Sequence, residues 1–443
     1  MTAVSIIGAG WSGLAAAVEL SRHNIPVSVY ESAKQMGGRA RDIDIDGVSL
    51  DNGQHLMIGA YVQLLALLQV TGVNEADVFY RLPQHIQMLD LATGNIAFEL
   101  KLPRWPAPLH LLGGMLGCPS LNSGDKIKTL WRFKKLLNNK LSVDISVEQW
   151  LQQADLPPTY ADNLLKPLCL AALTTHPDQA SARAFQTVLQ QTFNGRNTNT
   201  DLLISRTTLG KIFPDAAKRY IESHGGRVLV GHKIDNINPE NKIISANNQN
   251  LHYQQLIIAT PPNITQQLLK PHAVFDTITS KLATLLYAPV CTIYLQYPPH
   301  IKLPLPMLGC LHATSEWLFD RVYCNQPGLI AVIISADGQH MSLSNDDLAN
   351  NVKTELALLF PDWPEPVNTQ VIREKRAGFC CHINVDSIRP FIRTDVEHIK
   401  LCGDYVYIEN NFQPGLPATL EGAVRSGVKC AQQTLEDMQI CNT

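Results

Sequence analysis

Val4-Ser5-Ile6-Ile7-Gly8-Ala9-Gly10-Trp11-Ser12-Gly13-Leu14-Ala15-Ala16-Ala17-Val18-Glu19-Leu20 decides how the rest of this chain is read. A short apolar, β-branched run leads into three spaced glycines and then into an Ala/Leu-rich run, which predicts strand, tight turn and helix. Gly8 permits the turn, Gly10 lets a pyrophosphate approach the backbone, and Gly13 lets the helix pack on the strand. The N–H groups that open such a helix have no partners within it and suit phosphate oxygens. Val27-Ser28-Val29-Tyr30 reads as a second strand, ending at Glu31. An acid at that spacing accepts hydrogen bonds from an adenosine ribose. The segment therefore predicts a Rossmann-like dinucleotide fold, with Trp11 and Ser12 inside the turn.

After Glu31 the chain reads Ser32-Ala33-Lys34-Gln35-Met36-Gly37-Gly38-Arg39-Ala40. A nicotinamide domain has no need for this second glycine pair. Two glycines let the backbone press on a cofactor, and an arginine can pair with phosphate. The pattern resembles the FAD-binding amine oxidase and phytoene desaturase superfamily, in which the first motif is followed by such a segment on the flavin. The resemblance implies FAD as cofactor, with Gly38 and Arg39 among its contacts.

At 443 residues the chain is long enough for more than one domain. It is 45% hydrophobic and 17% charged, which is globular rather than disordered. A net charge of −3 gives no general pull towards nucleic acid. The ten cysteines show no CxxC spacing, so neither a metal framework nor a disulfide scaffold is read, and a cytoplasmic setting is expected. The first apolar run has no basic stretch before it, and no run of about 18 apolar residues is present, so neither a signal peptide nor a transmembrane helix is expected.

Asp42-Ile43-Asp44-Ile45-Asp46-Gly47-Val48-Ser49-Leu50 alternates and turns at Asp46-Gly47, as a hairpin does, and runs into Asp51-Asn52-Gly53-Gln54-His55. Residues 102–137 combine Trp105, Leu109, Leu111, Leu112 and Trp131 with Lys126, Lys128, Arg132, Lys134 and Lys135. Two readings stand: an amphipathic surface helix of a substrate domain, or a peripheral contact with the inner face of a membrane. Residues 147 to 192 read as helices, and the apolar Lys166–Thr175 stretch is either a buried core helix or the wall of a lipid pocket. Gly225-Gly226 opens a turn followed by a strand through Ile234, and Phe213-Pro214 reads as a helix stop. Val290–Leu295 and Leu329–Ile334 read as strands, with Trp317–Arg321 between them. Asp320 and Arg321 pair at a strand end, or Asp320 supplies an acid to a pocket.

Three further segments carry the resemblance to the end of the chain: Leu256-Ile257-Ile258-Ala259-Thr260-Pro261-Pro262, Leu401-Cys402-Gly403-Asp404, and Gln413-Pro414-Gly415-Leu416-Pro417-Ala418-Thr419-Leu420-Glu421-Gly422-Ala423. They imply an α/β, amine-oxidase-like FAD domain that is discontinuous: 1–80, 205–274 and 391–443, with an α+β substrate domain from 81–204 and 275–390. The resemblance implies cofactor contacts at Gly8, Gly10, Gly13, Glu31, Gln54, Ile234, Gly403, Asp404, Ala418 and Thr419, and a helix near Thr419 aimed at the flavin. No Ser-Gly-Gly-Cys attachment motif occurs, so noncovalent FAD is expected.

Together with Pro167-Leu168-Cys169-Leu170-Ala171-Ala172-Leu173 and Phe319-Asp320-Arg321, these segments are similar to the squalene-associated FAD-dependent desaturases, the hydroxysqualene dehydroxylases of squalene and hopanoid biosynthesis. One departure is Thr174-Thr175-His176-Pro177, where that group leads one to expect an Asn. The resemblance implies reductive dehydroxylation of a lipophilic isoprenoid: protonation of an allylic hydroxyl, loss of water, and hydride transfer from reduced flavin. His55 and Asp320 are the candidate acids, with Arg206 as an electrostatic partner. No second nucleotide motif follows a strand, so an external electron donor is expected. An oxidising carotenoid-type desaturase, an amine oxidase and a non-catalytic prenyl-lipid binder are the alternatives.

Overall fold

The computed structural model describes residues 2–45, 47–246, 249–408 and 415–440. Strand β1 (Thr2–Ile7) lies between β2 (Val27–Glu31) and the strand Gln249–Ile258, parallel to both. Arg227–Val230 adds in parallel beyond β2, and Ile399–Leu401 adds in parallel beside Ile258. An antiparallel hairpin, Ile234–Asn238 with Ile243–Ala246, extends the sheet from the first half of Gln249–Ile258. Helix α1 (Trp11–Arg22) crosses from β1 to β2 and is buried at every position except Arg22. Its alanines are the reason it can be covered so closely. The C-terminal helix packs along it, and a Cβ on Gly427 would stand 2.1 Å from the Ser12 carbonyl oxygen.

The second sheet runs in the order Asn368–Phe379, Tyr287–Gln296, Leu329–Ser335, Trp317–Asp320, Met307–Leu311, His85–Asp90, Ile96–Lys101. Its pairs are antiparallel except Met307–Leu311 with His85–Asp90. Leu329–Ser335 is buried throughout, as its unbroken apolar run requires of a strand covered on both faces. Alternation assigns the faces. Ile293, Leu295, Val332 and Ile334 pack with Leu348, Val352 and Leu356 of the helix Asn345–Leu359. Val290, Thr292, Ile333 and Ser335 look the other way, into a cavity.

Helices close that cavity. Lys166–Leu173 offers Leu168, Ala171 and Ala172, and Ala182–Phe193 offers Phe185, Val188, Leu189 and Thr192 at helical spacing. The apolar 166–175 stretch is thus a pocket wall. Outside it, α2 (Leu109–Gly117) and α3 (Ser123–Asn138) form a helical hairpin, tied by Lys126 Nζ donating to the Leu116 carbonyl at 2.8 Å. The last helix, α4 (Leu420–Ile440), returns to the first sheet.

Several sequence expectations change. Asp42–Ile45 and Val48–Asp51 do pair as a hairpin, while Asp46 of its turn lies outside the described residues. The strand expected through Ile234 is two strands, parted at Gly231, whose φ of +69° turns the chain. Pro214 opens a helix at its first turn, where its missing N–H costs nothing. Trp317–Asp320 is itself a ladder strand. Gln413 and Pro414 lie outside the described residues.

Candidate active site

A cavity of about 430 Å³ opens at the C-terminal ends of β1 and β2. Gly8 takes φ +105°, and a Cβ there would stand 2.7 Å from the Ala259 carbonyl oxygen. A Cβ on Gly13 would sit 2.1 Å from the Gly8 carbonyl oxygen, so only glycine lets α1 meet β1 so closely. Gly10 differs. A Cβ there meets nothing nearer than Gly38 Cα at 3.9 Å and would project into open cavity. Gly10 caps α1 without a side-chain hydrogen bond, so the first-turn N–H groups keep no capping side chain. Trp11, Ser12, Glu31, Gly38 and Ile234 line the same space. The Glu31 carboxylate accepts the Ala9 and Ala33 N–H groups at 2.8 and 2.9 Å, which fixes it at the end of β2 with lone pairs left over. An open glycine cradle, an uncapped helix start and a fixed carboxylate suit the dinucleotide part of FAD.

The far wall comes from the end of the chain. Gly403 Nα donates to Ser426 Oγ at 3.0 Å, and the buried Asp404 accepts from Arg39 Nη2 at 2.7 Å. Arg39 Nη1 reaches the Ala377 carbonyl at 2.8 Å. One cation therefore ties the glycine-arginine segment to the second sheet and to the C-terminal motif. Ala418 and Thr419 line the cavity beside it. Thr419 Oγ1 accepts from the Gly422 N–H at 3.0 Å, the geometry of an N-cap at the start of α4.

A second cavity, of about 300 Å³, adjoins the first. Arg39, Asn52, His55, Glu374, Ala418 and Thr419 border both. Beyond this junction its walls are mainly aliphatic and aromatic: Leu56, Ile58, Ile86, Leu168, Phe185 and Val188. A flavin ring reaching from the dinucleotide side would meet an apolar ligand here.

His55 stands at that junction. Its Nδ1 lies 2.8 Å from the Gly53 carbonyl oxygen, so in the neutral ring Nδ1 carries the hydrogen and Nε2 is the basic atom. Desolvation holds its pKa below the ordinary histidine value, and the Arg39 cation adds to that. Gln54 lines the apolar cavity, and its Oε1 accepts from Arg321 Nη1 at 2.6 Å.

The other two candidate acid-site residues lie elsewhere. Asp320 borders neither cavity. Its carboxylate accepts the Leu303 and Val322 N–H groups, at 2.8 and 2.9 Å, and so caps a short helical turn. Nor does it pair with Arg321, which is buried and bound to the buried Asp51 at 2.8 Å, with Gln326 Oε1 on its Nε. Arg206 also borders neither cavity: its guanidinium lies 3.7 Å from the Tyr80 ring centroid, and its Nε donates to the Phe79 carbonyl. Sequence reasoning missed Asn52 and Glu374, which face each other across the junction with Asn52 Nδ2 on Glu374 Oε2 at 3.2 Å. Glu374 sits in Arg373-Glu374-Lys375-Arg376, a charged run that reads as solvated strand. Only its pairing opposite Val290 shows that one member turns inward.

A family model of flavin containing amine oxidoreductases matches residues 11–435. Over 98% of each chain, the sequence is 27% identical to the hydroxysqualene dehydroxylase of Rhodopseudomonas palustris. It is 23% identical to the chloroplastic/chromoplastic 15-cis-phytoene desaturase of Glycine max, over 99% of this chain and 80% of that one. Among solved structures, an oxidoreductase from Methanosarcina mazei superposes with a TM-score of 0.76 at 15% identity, covering 97% of this chain and 99% of that one.

Proposed function

The chain belongs to the flavin-containing amine oxidoreductase family and is an FAD-dependent oxidoreductase, and on that premise we propose that it reduces hydroxysqualene to squalene by removing an allylic hydroxyl. The observation that carries the reading is the junction: an apolar cavity meets the dinucleotide cavity at one histidine. The likeness to a hydroxysqualene dehydroxylase over nearly the whole chain supports it. We take the contact residues expected from the sequence, apart from Gly13, which packs α1 on β1, and Gln54, which lines the apolar cavity, to be the cofactor's, with FAD held noncovalently, and 1–80, 205–274 and 391–443 to be its domain.

When bound and reduced, FAD supplies the hydride. The chain supplies the rest. The aliphatic walls exclude water from an allylic cation that water would otherwise trap. His55, once protonated, donates from Nε2 to the leaving hydroxyl; the desolvation that lowers its pKa makes that imidazolium a stronger acid and the neutral ring the more favoured form at rest. Asp320 and Arg206 take no part, since both are spent on the fold. Electrons come from an external donor.

A second reading, an oxidising desaturase, is favoured by the likeness to a phytoene desaturase. Product analysis separates the two. Enzyme kept reduced is given hydroxysqualene, and oxidised enzyme with an electron acceptor is given phytoene. Squalene from the first and no new double bond in the second is expected. The reverse pattern would overturn the proposal.

A further inference from the structure

We propose that the α2–α3 hairpin docks on an anionic lipid surface and that its inner side is the way by which a lipid reaches the apolar cavity. Helix α3 has apolar residues on two opposite sides. Thr129, Phe133, Leu136 and Leu137 are buried, as the inward side of a packed helix should be. The outward stripe carries Ile127, 63% exposed, and Trp131, 73% exposed, at a spacing of four. On the same stripe stand Lys128, Lys134 and Lys135, all exposed. These three lysines make no ion pair among the described residues, whereas Arg132 pairs with Asp155 and Lys126 with the Leu116 carbonyl. Trp105, Leu109 and Leu116 add further exposed apolar surface around α2.

An aromatic and an aliphatic side chain flanked by unneutralised lysines have one matching partner in charge and depth: a layer of anionic headgroups over hydrocarbon. A protein partner would match the apolar part but would have to bring its own acids to three lysines on flexible stems. A nucleic acid would match the lysines and leave Ile127 and Leu109 unused.

The inner side of the hairpin supplies the second half of the argument. Leu111, Met115, Leu130 and Phe133 border a small void beneath it, and Phe193 closes that void on the far side. Phe193 also borders the apolar cavity. One phenyl ring, edge-on to Phe133 at 5.4 Å between centroids, thus borders both the void under the hairpin and the apolar cavity. The proposed passage runs past Phe193, the residue the two spaces share. This passage rests on the proposed lipid substrate; the docking does not.

The holoenzyme is sedimented with vesicles of phosphatidylcholine alone and of phosphatidylcholine with phosphatidylglycerol. Binding to the anionic vesicles only, weakened by salt, is expected. Replacing Lys128, Lys134 and Lys135 with Gln should weaken it on the order of 100-fold, since each lysine near such a surface contributes about fivefold. Turnover of detergent-dispersed substrate by that variant should be unchanged. The unaltered protein gives an independent reading. Of the six tryptophans, Trp105 and Trp131 are the exposed ones among the described residues, so lipids brominated in the acyl chain should quench its fluorescence. Absence of sedimentation with either vesicle, binding indifferent to the three lysines, or no quenching would overturn the docking. If vesicles bind as expected but Phe193→Ala leaves the KM for vesicle-borne substrate unchanged while the detergent assay still makes product, the passage fails and the reaction stands.

Discussion

Gly10 and Gly13 separate what the fold needs from what a cofactor needs. A side chain on Gly13 collides with the Gly8 carbonyl inside α1's contact with β1, while one on Gly10 enters open space. Gly10→Val should therefore fold, melt close to the unaltered apoprotein, and carry little flavin. Gly13→Val should lose the fold itself, through overpacking that costs at least about 1–3 kcal/mol. Flavin absorbance per chain, read beside thermal melts, checks both; a flavin-replete Gly10→Val protein would contradict the placement. His110 makes a pH prediction. It is 1% exposed, and neither ring nitrogen has a hydrogen-bond partner among the described residues. Burial holds its pKa below 6.5. The unfolded chain therefore takes up the proton first, and folded stability should fall as pH drops below about 6.5. His110→Phe should flatten that slope in urea titrations between pH 8 and pH 5, and an unchanged slope would refute it.

At the scale of elements, the sequence was most legible where the constraint is local. The turn between β1 and α1 needs specific backbone at Gly8 and Gly13, and those demands are met within a few residues. The amphipathic character of α3 was legible too, but not which residues it buries: Phe133, Leu136 and Leu137 face inward, while Ile127 and Trp131, equally apolar, stand exposed. What could not be read is long-range. Asp51 and Arg321 lie 270 positions apart, and nothing local to Phe319-Asp320-Arg321 says that the arginine turns inward while the aspartate caps a turn. Their link joins the strand Val48–Asp51 to the end of Trp317–Asp320 and holds the Gln54 amide at the apolar cavity. Arg321→Leu should cost about 3–5 kcal/mol by stranding the buried Asp51 carboxylate. Adding Asp51→Asn should recover part of the loss in denaturant titrations. Equal destabilisation by the single and double variants would mean that the ion pair is not what the site depends on.

For the whole molecule, two sheets are set so that the C-terminal ends of the first meet one face of the second. Arg39 binds to Asp404 on one side and the Ala377 carbonyl on the other. The cavity proposed for the cofactor was readable because its glycines and acids lie in recognisable runs. The cavity proposed for the substrate was only half readable: the apolar Lys166–Thr175 run left a core helix and a pocket wall both open, and Glu374 reaches the junction through strand register alone. The proposed chemistry needs those two cavities to act together, in the reducing direction. A single-turnover experiment tests that most directly. Anaerobic enzyme, reduced in full with dithionite, is mixed with hydroxysqualene, and flavin absorbance and squalene are followed together. Squalene should appear in step with flavin reoxidation, and should carry deuterium when the flavin has been reduced with deuterium at N5. Reoxidation without squalene, or squalene formed equally by oxidised enzyme, would contradict the account.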